Sequence, residues 1–127
     1  MMSRSFAIAL LFAVPSVVLA VPGVKSPVRT HTVNPGWNGV CPHEFRFVGT
    51  ITSRGAGDVE YTWDRSDGSH GGTEVIHFSR PNQRQSVSTN WTLSKPRNVT
   101  YHGWEQIRVI SPNFIRSNRA TFTLQCR

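Results

Sequence analysis

The sequence has few acidic residues, few cysteines and, beyond residue 20, no long apolar run. Seven Asp and Glu residues stand against fourteen Lys and Arg residues, and two cysteines occur among 127 residues. Beyond residue 20 there is also no sustained helical periodicity, no internal repeat and no low-complexity tract. These absences argue against a helical fold, a repeat architecture, a membrane-spanning segment in that part of the chain and a cysteine-rich metal site.

The first twenty residues have the pattern of a secretory signal peptide. Arg4 precedes the apolar run Phe6–Ala20, which is too short to span a bilayer comfortably. Small residues occupy the −3 and −1 positions of a cleavage site before Val21. The first cysteine is Cys41, which argues against a lipoprotein. We therefore predict that residues 1–20 are cleaved and that the product is periplasmic or extracellular; an uncleaved anchor is the alternative.

The predicted mature chain, residues 21–127, is strongly basic and long enough for one domain. Without Arg4 it has thirteen basic and seven acidic residues, a net charge of +6, and eleven of the thirteen are Arg. This charge favours an anionic partner, such as an acidic protein, a glycan or an envelope surface. Nucleic acid is not the expected ligand. The alternative is that the charge serves only to keep a small secreted domain in solution.

The two cysteines predict one disulfide. In an exported chain a lone pair of cysteines usually forms a bridge. Cys41 and Cys126 lie 85 positions apart, so this bridge would enclose most of the domain. A loop of that length corresponds to a stabilisation of about 4–5 kcal/mol by the chain-entropy model.

Short runs of aromatic and β-branched residues alternate with polar ones between Gly, Pro, Asn, Asp and Ser. Such alternation is typical of antiparallel sheets with one buried and one exposed face. Seven runs predict an all-β, seven-stranded antiparallel two-sheet sandwich. We predict one β-sandwich domain over residues 28–127, with residues 21–43 forming an N-terminal strand and Gly/Pro loop. The predicted strands are Val28–Val33, Glu44–Ser53, Asp58–Arg65, Thr73–Ser79, Gln83–Leu93, Trp104–Ile110 and Asn118–Cys126.

The alternation also predicts which side chains form the core. Trp63, Trp91 and Trp104 are assigned to it. Trp37 lies in a Gly/Pro/Asn loop shortly before Cys41, where it either caps the disulfide or is an exposed aromatic that stacks on a sugar or partner. The other inward positions are Phe45, Phe47, Gly49, Ile51, Val59, Tyr61, Val87, Thr89, Leu93, Ile107, Val109, Ala120, Phe122, Leu124 and Cys126.

With these strands in place, most of the mature chain resembles the immunoglobulin-like and fibronectin type III sandwiches of secreted and surface proteins. The strand order carries the resemblance, with Tyr61-Thr62-Trp63 on the third strand and Trp91 and Leu93 on the fifth. Cys126 departs from the immunoglobulin pattern because it lies on the last strand. The resemblance therefore implies a fold and no particular function.

No constellation of catalytic or ligating side chains stands out. The five histidines are scattered without metal-site spacing, and no nucleophile elbow or convincing carboxylate pair occurs. Asp64–Ser69 loosely resembles a calcium loop, but Asp and Ser closing a turn is the preferred interpretation. Asn90 and Asn98 begin sequons that matter only in a glycosylating pathway. We assign no catalytic residue, metal or cofactor, and we expect a protein that is not an enzyme.

Strand alternation predicts a cluster of loops at the end opposite the disulfide. An apolar pair ringed by Arg is typical of a partner hot spot. We therefore predict an anion-recognising surface there; the alternative is scattered surface Arg, with the apolar pair folded onto the sandwich. The residues concerned are Arg54, Arg80, Arg84, Phe114, Ile115, Arg116 and, just inside the last strand, Arg119.

Two further functions stay open from the sequence. The irregular fourth run is the expected sheet edge, through which a structural or self-associating envelope protein would add a strand. A small enzyme inhibitor would instead present a projecting loop, for which Ser66–Gly72 is the candidate.

Overall fold

A computed structural model describes residues 21–127, so the predicted signal peptide lies outside the described residues. The described chain is all-β, with two sheets and no helix, as predicted, and none of it could cross a membrane as a helix. It has ten strands rather than the predicted seven. They are β1 (Gly23–Val24), β2 (Arg29–Val33), β3 (Gly36–Gly39), β4 (His43–Gly55), β5 (Gly57–Arg65), β6 (Glu74–Phe78), β7 (Arg84–Leu93), β8 (Thr100–Ser111), β9 (Ile115–Arg116) and β10 (Ala120–Cys126).

The three additional strands are short and lie outside the seven predicted runs. β1 pairs with the end of β4, β3 pairs in parallel with β10, and β9 pairs with the end of β8. Two to four residues are too few to show an alternation, and Gly and Asn, which are depleted in strands, make up most of β3. Their pairing partners, which lie far away in the chain, define these strands.

The first sheet is built around β4. β7 pairs along one side of β4, and β1 and β2 follow one another along the other side. The second sheet has the order β3-β10-β8-β5-β6, with β9 beside β8 beyond the start of β10. β6, which matches the fourth predicted run, forms one edge of this sheet.

The inward faces of the two sheets form one core. The predicted inward residues of β4, β5 and β10 are buried, whereas Thr89 of β7 is only half-buried. Phe122 is central, because its ring centroid lies between 4.4 and 5.9 Å from the centroids of Phe45, Phe47, Trp91 and Tyr101.

Trp104 is not in the core, contrary to the prediction. It is half-buried on the outer face of the second sheet, where the Arg119 guanidinium lies 4.1 Å from its ring centroid. The alternation of β8 explains this placement, because Ile107 and Val109 point inward and Trp104 has the opposite parity. Glu105 takes the inward position instead and is fully buried.

Cys41 and Cys126 form the predicted disulfide, with their Cα atoms 5.5 Å apart. Cys41 precedes β4 in the first sheet, and Cys126 ends β10 in the second, so the bridge joins the two sheets. We call this end of the sandwich the disulfide end. The opposite end, where β4 turns into β5, is the far end.

Gly103 on β8 leaves the space that the central Phe122 ring occupies. A Cβ atom at Gly103 would lie 2.4 Å from Phe122 Cζ and 2.7 Å from Tyr101 Cε1. We expect Gly103→Ala to lower the free energy of unfolding by about 1–2 kcal/mol, because neither packed ring can retreat without strain. Urea denaturation measures this change. Gly72→Ala, whose Cβ meets nothing within 4 Å, is the matched control, and equal stability of the two variants would contradict the prediction.

Candidate functional site

The outer face of the first sheet contains a groove whose floor is β4. Thr50 and Thr52 face outward there, because Ile51 between them is buried in the core. The strand register places Arg29 of β2 beside Thr50 and Arg84 of β7 beside Thr52. Two exposed Arg residues therefore border two threonine hydroxyls from opposite sides of the same strand.

The connection from β1 to β2 closes the groove towards the far end. Lys25 N donates to the Thr52 carbonyl at 2.8 Å, and Lys25 Nζ donates to Asn82 Oδ1. These bonds tie the connection both to β4 and to the turn before β7. The resulting cavity has a volume of about 390 Å³. We call it the basic groove; its lining residues are Lys25, Ser26, Pro27, Arg29, Thr50, Thr52 and Arg84.

The charges of the basic groove are not neutralised by neighbouring carboxylates. Within residues 21–127, Arg pairs with a carboxylate at Arg65–Glu105 and Arg108–Asp64, and both pairs lie in the second sheet. None of the groove's seven lining residues is acidic. Arg29, Arg84 and three hydroxyl groups are thus available to an anionic group such as a carboxylate, sulfate or phosphate, and Lys25, which also bonds Asn82, adds a third positive charge.

The structure brings Arg54 and Arg80, two of the predicted site residues, to the end of β4 beside the groove. Ser53 Oγ donates to the Arg80 carbonyl at 2.6 Å, which docks the turn before β7 onto β4. Arg54 Nη2 donates to the Pro22 carbonyl at 3.3 Å. Arg84 lines the groove itself. These three Arg residues therefore lie at the far end, where the loop clustering predicted them.

The remaining predicted site residues do not form one cluster. Asn113 bonds through its amide to Val24 N and O at 2.9 and 3.0 Å, which brings its loop to the far end. Phe114 next to it is 60% exposed, with the Arg116 guanidinium 5.1 Å from its ring centroid. Ile115 is half-buried against the core. Arg119 does not join the far end: it lies beside Trp104 near the middle of β8.

Four residues of the basic groove are not among the predicted site residues: Lys25, Arg29, Thr50 and Thr52. The alternation of β4 does predict that the two threonines face outward. The missing information is the order of strands in the sheet, which sets Arg29 and Arg84 on either side of β4. These two residues are 55 positions apart in the chain, so no local motif could reveal the groove.

Trp37 lies at the disulfide end, beside a second groove of about 420 Å³. Its ring stacks on His43 with centroids 4.1 Å apart and an interplanar angle of 8°. Trp37 Nε1 donates to the Val40 carbonyl at 3.1 Å, and 38% of the residue is exposed. Trp37 thus packs close to Cys41 and remains partly exposed. The groove is lined by Val33, Asn34, Gly36, Trp37, His43, Glu44 and Arg46.

The Ser66–Gly72 loop folds back onto the second sheet. Thr62 Oγ1 donates to the Gly71 carbonyl at 2.9 Å, and Asp67 Oδ1 accepts from Ser69 N and Oγ at 2.9 and 2.6 Å. The hydrogen bonds from Ser69 lower the pKa of Asp67. The carboxylate therefore closes its own turn, as the sequence predicted. In residues 21–127, no three His, Cys, Asp or Glu side chains are grouped as metal ligands.

No protein-family model and no curated protein sequence matches the chain. Among solved structures, it is similar to the CARDB domain of a Pyrococcus furiosus protein in complex with di-metal ions, with 15% identity and a TM-score of 0.50 over 86% of this chain and 91% of that one. It is also similar to the Pseudomonas fluorescens alkylpurine DNA glycosylase AlkC bound to DNA containing an abasic site analog, with 15% identity and a TM-score of 0.49 over 77% of this chain and 30% of that one. The first likeness shows a shared β-sandwich fold alone, in line with the immunoglobulin-like resemblance. The second supports no conclusion about this chain.

Proposed function

We propose that this protein is an exported, non-enzymatic binding module that recognises an anionic group on its partner through the basic groove and the adjoining far end. The observation that carries the proposal is the convergence of Lys25, Arg29 and Arg84 on the hydroxyl groups of Thr50 and Thr52, with no acid in the lining. The volume of the groove, about 390 Å³, lies in the range of small-ligand sites.

The chemistry of these side chains suits binding rather than catalysis. Arg forms forked, charge-assisted hydrogen bonds to carboxylate, sulfate or phosphate, and threonine hydroxyls complete the coordination of the remaining oxygens. The lining has no His, Asp or Glu, the usual bases that would activate the hydroxyl of Ser26, Thr50 or Thr52 as a nucleophile. Arg54 and Arg80 at the rim would chiefly accelerate association with an anionic partner.

Export is supported by the cysteine chemistry together with the signal-peptide pattern. The Cys41–Cys126 disulfide joins two sheets, and such bridges persist in oxidising compartments. The predicted signal peptide supplies the route to a compartment of that kind.

The competing functions have less support. β6 is a sheet edge with Val75 61% exposed, which favours strand addition. However, β6 has only five residues, and its exposed Glu74 is a charge of the kind that protects edges from pairing. The inhibitor role has less support, because both ends of the Ser66–Gly72 loop are hydrogen-bonded to the second sheet.

The test is binding of the mature domain to immobilised heparin, a sulfated polyanion, at increasing NaCl concentration. We expect Arg29→Ala/Arg84→Ala to weaken binding by roughly tenfold or more and to lower the slope of log K against log salt by about two, because two ion contacts are lost. Arg97→Ala/Arg127→Ala removes the same charge at the disulfide end and is the matched control. If both double variants weakened heparin binding equally, the effect would come from net charge alone, and the basic groove would be rejected as the binding site.

A further inference from the structure

The basic groove continues as a row of basic side chains along the outer face of the first sheet. Arg84 is level with Thr52, Arg29 with Thr50, and His31 with Val48, and Arg46 follows on β4 itself. The three Arg residues and His31 are all exposed. From Thr52 to Arg46 the strand advances about 20 Å at the usual rise per residue. We call this row, together with the basic groove, the cationic track.

The acidic residues are segregated from the cationic track. Glu44, at its disulfide end, is the one carboxylate on the outer face of the first sheet among the described residues. The other six acidic residues of the chain belong to the second sheet or its loops, and they are Asp58, Glu60, Asp64, Asp67, Glu74 and Glu105. The outer face of the first sheet therefore carries an excess of basic over acidic side chains, with Glu44 at one end of it.

Between the cations the face carries small neutral polar groups. Ser86, Ser88 and Asn90 of β7 are exposed beside Thr50, Val48 and Arg46 of β4, respectively. The outward positions of β2, β4 and β7 contain no Phe, Tyr or Trp, the side chains on which single-stranded nucleic acids stack their bases. A protein partner would use aromatic or long aliphatic anchors, and the outward positions between Arg84 and Arg46 carry none. Hydroxyls and an amide between cations instead match the hydroxyl and acid groups of a saccharide.

An aromatic surface lies where the cationic track reaches the disulfide end. Arg46 lines the second groove together with Trp37 and His43, whose rings are stacked. The apolar face of a sugar ring packs against such aromatic groups, because its C–H groups form a flat hydrophobic surface. From these observations we infer that the cationic track binds a linear acidic polysaccharide lying along β4, an assignment that rests on the proposed function.

The experiment measures the affinity of the mature domain for heparin oligosaccharides from disaccharide upwards, with oligogalacturonates as a carboxylate series. We expect affinity to rise with length and to level off once the oligosaccharide spans about 20 Å. Arg46→Ala should weaken binding of the long oligosaccharides roughly fivefold and lower their salt slope by about one, but leave the disaccharide unchanged. Arg84→Ala should weaken every length. Arg97→Ala, at the disulfide end, is the control.

Failure of the inference is distinguishable from failure of the proposed function. Two results would overturn the cationic track and leave anion binding at the basic groove intact. One is that Arg84→Ala weakens binding but affinity does not rise with oligosaccharide length. The other is that Arg46→Ala leaves the affinity for long oligosaccharides unchanged. If Arg84→Ala left the affinity unchanged at every oligosaccharide length, both the cationic track and anion binding at the basic groove would be overturned. Tighter binding of single-stranded DNA or poly-glutamate of matched charge would overturn the saccharide assignment.

Discussion

Removal of the Cys41–Cys126 disulfide should lower the free energy of unfolding by about 4–5 kcal/mol. The bridge closes a loop of 85 positions, and breaking it restores to the unfolded chain the conformations that the loop excludes. The whole stability of a small domain is about 5–15 kcal/mol, so this loss is a large share of the total. The variant Cys41→Ala/Cys126→Ala should therefore unfold at a much lower urea concentration than the oxidised protein.

In the folded state, we expect no gain in stability from the two Ala substitutions that would offset the loss of the disulfide. The bridge joins the start of β4 to the end of β10, and Lys95 N approaches Cys126 Sγ at 3.3 Å, so the sulfurs are integrated into the disulfide end. The far end has separate ties, including the Asn113 amide on Val24. The folded fraction of the variant should therefore retain the basic groove.

Urea denaturation of three samples tests this expectation: the oxidised protein, the reduced protein and the double Ala variant. A reductant should move the oxidised protein to the midpoint of the variant and leave the variant itself unchanged. A loss of less than about 1 kcal/mol would contradict the entropic origin of the effect. Heparin binding by the folded variant, at low temperature, checks that the groove survives without the bridge.

The parts of the fold that are predictable from sequence are those encoded by alternation over many residues. β4, β5 and β10 each alternate cleanly, and their inward residues are buried as expected. β3 is not predictable in this way, because Gly36–Gly39 has no apolar periodicity and owes its strand conformation to parallel pairing with β10. Local composition indicates a loop there, and a tertiary hydrogen-bond pattern overrides it.

The candidate site is predictable only in part, for a related reason. Arg54 and Arg80 can be assigned to the far end from the alternation of strand direction alone. Lys25 and Arg29 join Arg84 only because β2 and β7 both pair with β4, and such pairing depends on packing between distant segments. Alternation within a strand indicates which residues face outward, but the order of the strands decides which outward residues are neighbours.

Glu105 illustrates the same limit inside the core. Its parity with Ile107 and Val109 points it inward, where a carboxylate requires a partner. That partner, Arg65, lies 40 positions away on β5, with Nε donating to Glu105 Oε1 at 2.8 Å. Oε2 is buried without a hydrogen-bond partner among the described residues. Burial raises the pKa of Glu105 above its ordinary value of 4.5, and the Arg65 hydrogen bond and charge oppose the rise.

Removal of Arg65 should therefore destabilise the protein in a pH-dependent way. We expect Arg65→Ala to lose about 3 kcal/mol at pH 7, because it leaves the carboxylate of Glu105 buried without a compensating charge. The raised pKa fixes the sign: the folded state binds the proton more tightly than the unfolded state, so stability falls as pH rises through this range. Without Arg65 the pKa rises further, so the loss should shrink towards pH 4, where Glu105 is protonated.

Two further variants separate this effect from general damage. Arg108→Ala breaks the more exposed pair with Asp64, in which the two side chains are 28% and 23% exposed, and it should cost at most about 1 kcal/mol. The double variant Arg65→Ala/Glu105→Gln has no buried charge, so it should recover much of the loss and show a flatter pH profile. Urea denaturation at pH 4, 5.5 and 7 provides the comparison. The Arg65 guanidinium also lies 5.1 Å from the ring centroid of Trp91. If Arg65→Ala lost the same free energy of unfolding at pH 4 as at pH 7, the loss would come from this packing and not from the buried charge.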